Sequence, residues 1–143
     1  MRIGVAACDR DAMLAYPYAT VPAGTAELAA ILTLVSEVEP IEVFVGLPRS
    51  LSGGEGPAAR KSRDRATALA QALSAAGRDT AVRLLDERLT TVSAARQLRE
   101  SGRRAKDQRA VIDSAAAVTI LEHALAAERA QGTAPGELVS PGT

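Results

Sequence analysis

The chain has 143 residues, of which 47% are hydrophobic and 24% charged, with 17 basic residues against 17 acidic ones. That length carries one domain with its own core, and the composition excludes wholesale disorder. Zero formal net charge excludes a global pull on polyanions, three aromatic residues (Tyr16, Tyr18, Phe44) exclude base stacking as the main binding mode, and one cysteine, Cys8, excludes a disulfide framework or a cysteine zinc cluster. No stretch is long and apolar enough to span a membrane, and the N-terminus lacks the basic-then-apolar layout of a signal peptide, so a cytoplasmic protein is expected.

The residues RIGVAA are β-prone and lead into the polar turn CDRDA, and LAYPYATV over residues 14–21 places β-formers around Pro17, which suits an edge strand. These two segments read as a hairpin. After Gly24, the apolar positions Leu28, Ile31, Leu32, Val35 and Val38 recur at helical spacing, with Thr25 as N-cap and Pro40 beyond the end. Residues 41–47, IEVFVGL, form a nearly continuous apolar run that reads as a central strand covered on both faces.

The loop PRSLSGGEGP follows, and Pro57 stands where a first-turn helix proline would. Ala59, Ala66, Leu69, Ala70 and Leu73 then mark a second helix ending near Gly77. Next comes the strand AVRLLDERL. A third helix is expected from Thr90 or Thr91 to Gly102, and a fourth from about Asp107 to about Ala130. The remainder, residues 131–143, is rich in turn-formers and reads as a disordered tail behind a domain spanning 1–130. A hairpin followed by alternating strands and helices predicts an α/β fold whose mixed sheet has a parallel half and an antiparallel hairpin edge, with helices on both faces. Function in such sheets gathers at the carboxyl ends of parallel strands, here GLPRS and DERLTT.

Two carboxylates stand out. Glu87 leaves a strand, and Asp113 lies among Val111, Ile112, Ala116, Ala117 and Ile120, against packed surface rather than bulk water. A carboxylate in such surroundings needs compensation, which a magnesium or manganese ion or a neighbouring Arg88 or Arg109 would equally supply. Arg96, Arg99, Arg103, Arg104, Lys106 and Arg109 crowd one helix end and the following loop, where they would track a phosphate backbone or form a solvated face. Arg60, Lys61, Arg63 and Arg65 form a smaller cluster. Arg49 and Ser50, in a glycine-rich strand exit, are candidate nucleic-acid contacts, but GLPRSLSGG lacks the order of a P-loop. His123 has no second histidine with which to share a zinc ion, and Ser50, Thr90 and Thr91 have no histidine base nearby in sequence.

The order RIGVA, VGLPRSLSG, LLDERLTTVSA, AVIDSAAAVTIL resembles the YqgF family, also called RuvX, over about residues 2–130. This is the bacterial group described as nucleases of pre-16S ribosomal RNA and as Holliday junction resolvases. The resemblance implies a ribonuclease H-like fold and phosphodiester hydrolysis with Mg2+ or Mn2+. It makes Glu87 and Asp113 catalytic, metal-binding carboxylates, with Arg88 balancing charge and the arginine clusters holding a strand of ribosomal RNA precursor or branched DNA. A monomer or a homodimer fits equally. Family members carry a further strand of the kind G-[IV]-D-x-G ahead of RIGVA, whose aspartate is a third carboxylate, and this stretch is not among the 143 residues. A start placed too late is the expected reason, ahead of a truncation or a variant without activity. Without that strand, the hairpin half and the parallel half are expected to have no shared partner.

Overall fold

A computed structural model describes residues 2–8, 14–50, 52–87 and 106–141, with the side chains at 2 and 106–114 left out. In chain order the elements are β1 (Arg2–Cys8), β2 (Ala15–Pro22), α1 (Glu27–Val38), β3 (Glu42–Leu47), α2 (Pro57–Ala75), β4 (Ala81–Asp86), α3 (Lys106–Gln131) and β5 (Glu137–Leu138). The segment expected to hold the third predicted helix, Thr90 to Gly102, lies outside the described residues, so α3 corresponds to the fourth predicted one.

β1 and β2 form an antiparallel hairpin whose register shifts between Val5 and Ala6, opposite the stretch that contains Pro17. β3 and β4 run parallel, and β5 adds antiparallel to β4. The hairpin and the three-stranded sheet are separate among the described residues. α3 packs on β1, β2 and β3, spanning both. The α/β arrangement of antiparallel hairpin, mixed sheet and helices agrees with the ribonuclease H-like order.

Side-chain alternation divides the β3–β4 sheet into two faces. Val43, Val45 and Leu47 pair with Val82, Leu84 and Asp86 on the face that meets α2, where Leu47, Ala59, Ala66, Leu69, Ala70, Leu73, Val82 and Leu84 are buried with Val35 of α1. Gly46 and Leu85 are paired on the other face, where Ile120 of α3 approaches. β3 is thus covered on both sides, as its apolar run implies.

Helix ends follow local chemistry. α2 begins with Pro57 in its first turn and ends in a Schellman-type closure, with Gly77 at φ 73°, the Gly77 N–H donating to Ser74 O and the Arg78 N–H to Leu73 O, 3.0 Å each. The expected Thr25 cap of α1 is not formed. Ala26 holds the N-cap position without a side-chain bond, and Glu27 reaches back to accept the Gly24 N–H at 3.0 Å. Glu27 also takes Arg65 of α2, whose guanidinium holds its carboxyl below the usual carboxylate range and ties the two helices together.

The end of the chain corrects an expectation. Residues 132–141 are not a disordered tail. Glu137 and Leu138 pair with Leu84 and Arg83, the Val139 N–H donates to Val82 O at 2.8 Å, and the Val139 side chain packs on the core. Gly136, at φ 86°, lets the segment approach so closely that a Cβ there would run into the Leu84 carbonyl.

Candidate active site

Successive residues at the end of β4 turn to opposite faces, and this is how DE in LLDERLTT is resolved. Asp86 points to the α2 side, where Arg49 Nη1 lies 3.7 Å from its Oδ2. Glu87, one residue past the strand, is 3% exposed and is the buried charged side chain among the described residues. Its carboxylate occupies the room left by the missing side chain of Gly46: a Cβ built there would strike Glu87 Oε1 and come within 2.8 Å of Ile120 Cδ1. Two adjacent parallel strands therefore build the pocket, β4 by delivering the acid and β3 by having no side chain opposite it.

α3 carries the second predicted site residue, Asp113. Asp113 lies seven residues before Ile120, about two turns or 10 Å along the helix axis. Its side chain, with those of Lys106 and Arg109, lies outside the described residues, as do Arg88, Arg96, Arg99, Arg103 and Arg104 altogether. Among the described residues, no three carboxylate, histidine or cysteine side chains come together in a way that would hold an ion.

The exit from β3 is more ordered than a glycine-rich connection implies. The Ser50 N–H donates to Gly54 O at 3.0 Å, the Gly53 N–H to Ser50 O at 2.9 Å, and Ser50 Oγ accepts the Gly54 N–H at 3.0 Å. The Ser50 hydroxyl, predicted to contact nucleic acid, thus also closes its own loop. Arg49 is held by Glu55 (Nη2–Oε2 3.1 Å) and faces Asp86, while its buried Nε has no hydrogen-bond partner among the described residues.

Sequence reasoning missed what stands behind Arg49. Glu55 is shared: Arg63 donates to it from Nε at 3.1 Å and Nη2 at 2.8 Å, and continues to Glu137 through Nη1 at 2.6 Å and Nη2 at 3.3 Å. Arg63, and then Arg49, hold the Glu55 carboxyl below the usual carboxylate range, and Arg63 does the same for Glu137. The Arg63 guanidinium is in turn stabilised in its charged form by Glu55 and Glu137. Arg63 thus does not belong to a free basic patch with Arg60 and Lys61. The sequence signal was Glu55 itself, the one acid of the loop, with Arg49 six positions before it and Arg63 eight after; Glu137, 74 positions from Arg63, lies too far along the chain to be inferred.

A profile of the RuvX family, described as Holliday junction resolvase, matches residues 1–127. Among curated relatives, a Streptomyces avermitilis protein named "Putative pre-16S rRNA nuclease" is 55% identical over 138 residues, covering 95% of this chain and 86% of its own length. Relatives of the same name from a Nocardioides species and a Mycobacterium species are 52% and 49% identical, covering 96% of this chain each and 89% and 80% of their own lengths. A match of that extent, over the strands and helices that bring Gly46, Glu87 and α3 together, means that the chain belongs to the RuvX family.

Proposed function

We propose that the protein is a metal-dependent nuclease that hydrolyses phosphodiester bonds in pre-16S ribosomal RNA during processing of its 5′ end, in the cytoplasm. The observation that carries this reading is the Glu87 carboxylate, buried at a parallel strand end in a notch kept open by Gly46. A carboxylate held rigidly at a buried strand end, in a member of a nuclease family, is a candidate for the catalytic acid of that family. The name that the relatives carry supports the ribosomal RNA precursor as substrate.

The donor chemistry suits a hard divalent ion, because a carboxylate oxygen held in one position is the ligand that Mg2+ or Mn2+ prefers. Glu87 and Asp113 would hold the ion. When bound, it would lower the pKa of a water and stabilise the leaving oxygen. Glu87 contributes a buried negative charge beside Gly46, with Ile120 close to the same point. Arg49 and the arginines between 88 and 109 hold the phosphate backbone, which carries no base information and so agrees with the scarcity of aromatic residues. Branched DNA is the second reading, favoured by the description of the matching family.

The test is cleavage of labelled RNA precursor in Mg2+. Glu87→Gln and Asp113→Asn should each abolish cleavage with little loss of RNA binding. Preference for a four-way DNA junction over RNA would replace the first reading by the second.

A further inference from the structure

Beyond the region matched by the family, the chain end reaches back to the loop after β3. β5 lies past residue 127, yet its Glu137 grips Arg63 with both carboxylate oxygens, and the two residues are 74 positions apart in sequence. Arg63 in turn grips both oxygens of Glu55, and one of these, Oε2, is the atom that Arg49 donates to. Four side chains are joined in series, from an exposed strand to the arginine at the carboxyl end of β3.

A tether for β5 is the simpler account, and it is inadequate. β5 is already docked by its ladder to β4, by Val139 N–H to Val82 O, by the core contact of Val139 and by the close approach at Gly136. The Glu137 side chain is 51% exposed, and ion pairs at such exposure add little to stability. What the series does provide is geometry. An arginine has several rotatable bonds, and the Arg49 Nε gives no anchor among the described residues, so the contacts that direct it there are Glu55 and Asp86, with Glu137 adding charge attraction. Glu55 is set by Arg63, which is itself clamped between two bidentate acids.

We propose that Glu137 is a positioning residue for Arg49: through Arg63 and Glu55, the C-terminal strand fixes the Arg49 guanidinium in the direction in which it meets a phosphate of the nucleic-acid strand. This rests on the nuclease reading, in which Arg49 lies beside the strand end that carries Glu87. Electrostatics alone predicts the reverse sign. Removing Glu137 deletes a negative charge near the bound polyanion and would tighten binding, whereas loosening Arg49 weakens it.

The test is the dissociation constant of the whole protein for a labelled single-stranded RNA, for wild type, Glu137→Ala, Glu137→Gln, Arg49→Ala and the double variant Glu137→Ala/Arg49→Ala. The expected result is weakening of about fivefold in Glu137→Ala, the size of one ordinary hydrogen bond lost. Glu137→Gln, which keeps an acceptor oxygen, should lie between it and wild type. Thermal melts should be nearly unchanged, and the double variant should bind no worse than Arg49→Ala alone. Effects of the two single variants that multiply in the double variant, or tighter binding by Glu137→Ala, would overturn the relay while leaving the nuclease reading intact. A wild-type chain that binds no RNA would overturn both.

Discussion

Gly46 and Glu87 divide one space between them: the carboxylate of the second lies where the first would carry a side chain. Gly46 does not need its freedom of backbone, since no left-handed φ is found there, so its role is the room it leaves. Gly46→Ala should therefore act through Glu87. We expect cleavage to fall by about a hundredfold, with overpacking costing about 1–3 kcal/mol of stability rather than the gain that alanine usually brings to a strand. Steady-state rates and urea unfolding check the two parts, and an alanine variant as active as wild type would show that the position of Glu87 does not matter.

Glu87→Gln keeps the shape of a buried side chain and removes its charge. Wild-type protein should melt higher in millimolar Mg2+ than in EDTA, because an ion bound only by the folded state stabilises it. The variant should show no such difference. Differential melting in the two buffers reads this without any substrate, and equal protection of both proteins would remove Glu87 from the metal site.

The acid side of the pH profile should release the series of Glu137, Arg63 and Glu55 before it frees the chain end. Glu55 and Glu137 are both held below the usual carboxylate range by Arg63. Groups lowered in the paired state contribute stability to the pairing that is fully present above their free value of about 4.3 and is lost as pH falls through the lower paired value. RNA binding should therefore weaken below about pH 4, while amide exchange of Val139, whose N–H donates to Val82 O, stays protected. Glu137→Gln should flatten the pH dependence of binding. Loss of Val139 protection together with binding would make the ion pairs a tether for β5.

Arg103 and Arg104 were singled out from the sequence as phosphate contacts. Reversing both to glutamate should weaken RNA binding and lower the slope of log affinity against log salt by about one to two, since each contact releases counterions. An unchanged slope would make the cluster a solvated face.

The packing of α2 was readable because one helical stripe, Ala59, Ala66, Leu69, Ala70 and Leu73, carries nearly all its burial. β3 and β4 were readable from apolar runs bounded by polar exits. β5 was not, because two residues of strand have no periodicity, and what docks them is a glycine, a valine and an ion pair with distant partners. Thr25 failed as a cap because the helix begins one residue later, leaving Glu27 to satisfy the backbone. In the site, Glu87 was legible as a charge ending an apolar strand. Gly46 was not, since a glycine in an apolar run does not reveal which neighbouring strand needs its space.

The central claim is that a buried carboxylate at the end of β4 makes this protein a metal-dependent nuclease. The most direct measurement is Mg2+-dependent cleavage of labelled pre-16S RNA by wild type, Glu87→Gln and Asp113→Asn, run side by side on the 143-residue chain and on one extended upstream through a G-[IV]-D-x-G strand. The account predicts cleavage that disappears in EDTA and in both variants. Cleavage that persists in Glu87→Gln, or its absence from the wild-type protein in both forms, would contradict it.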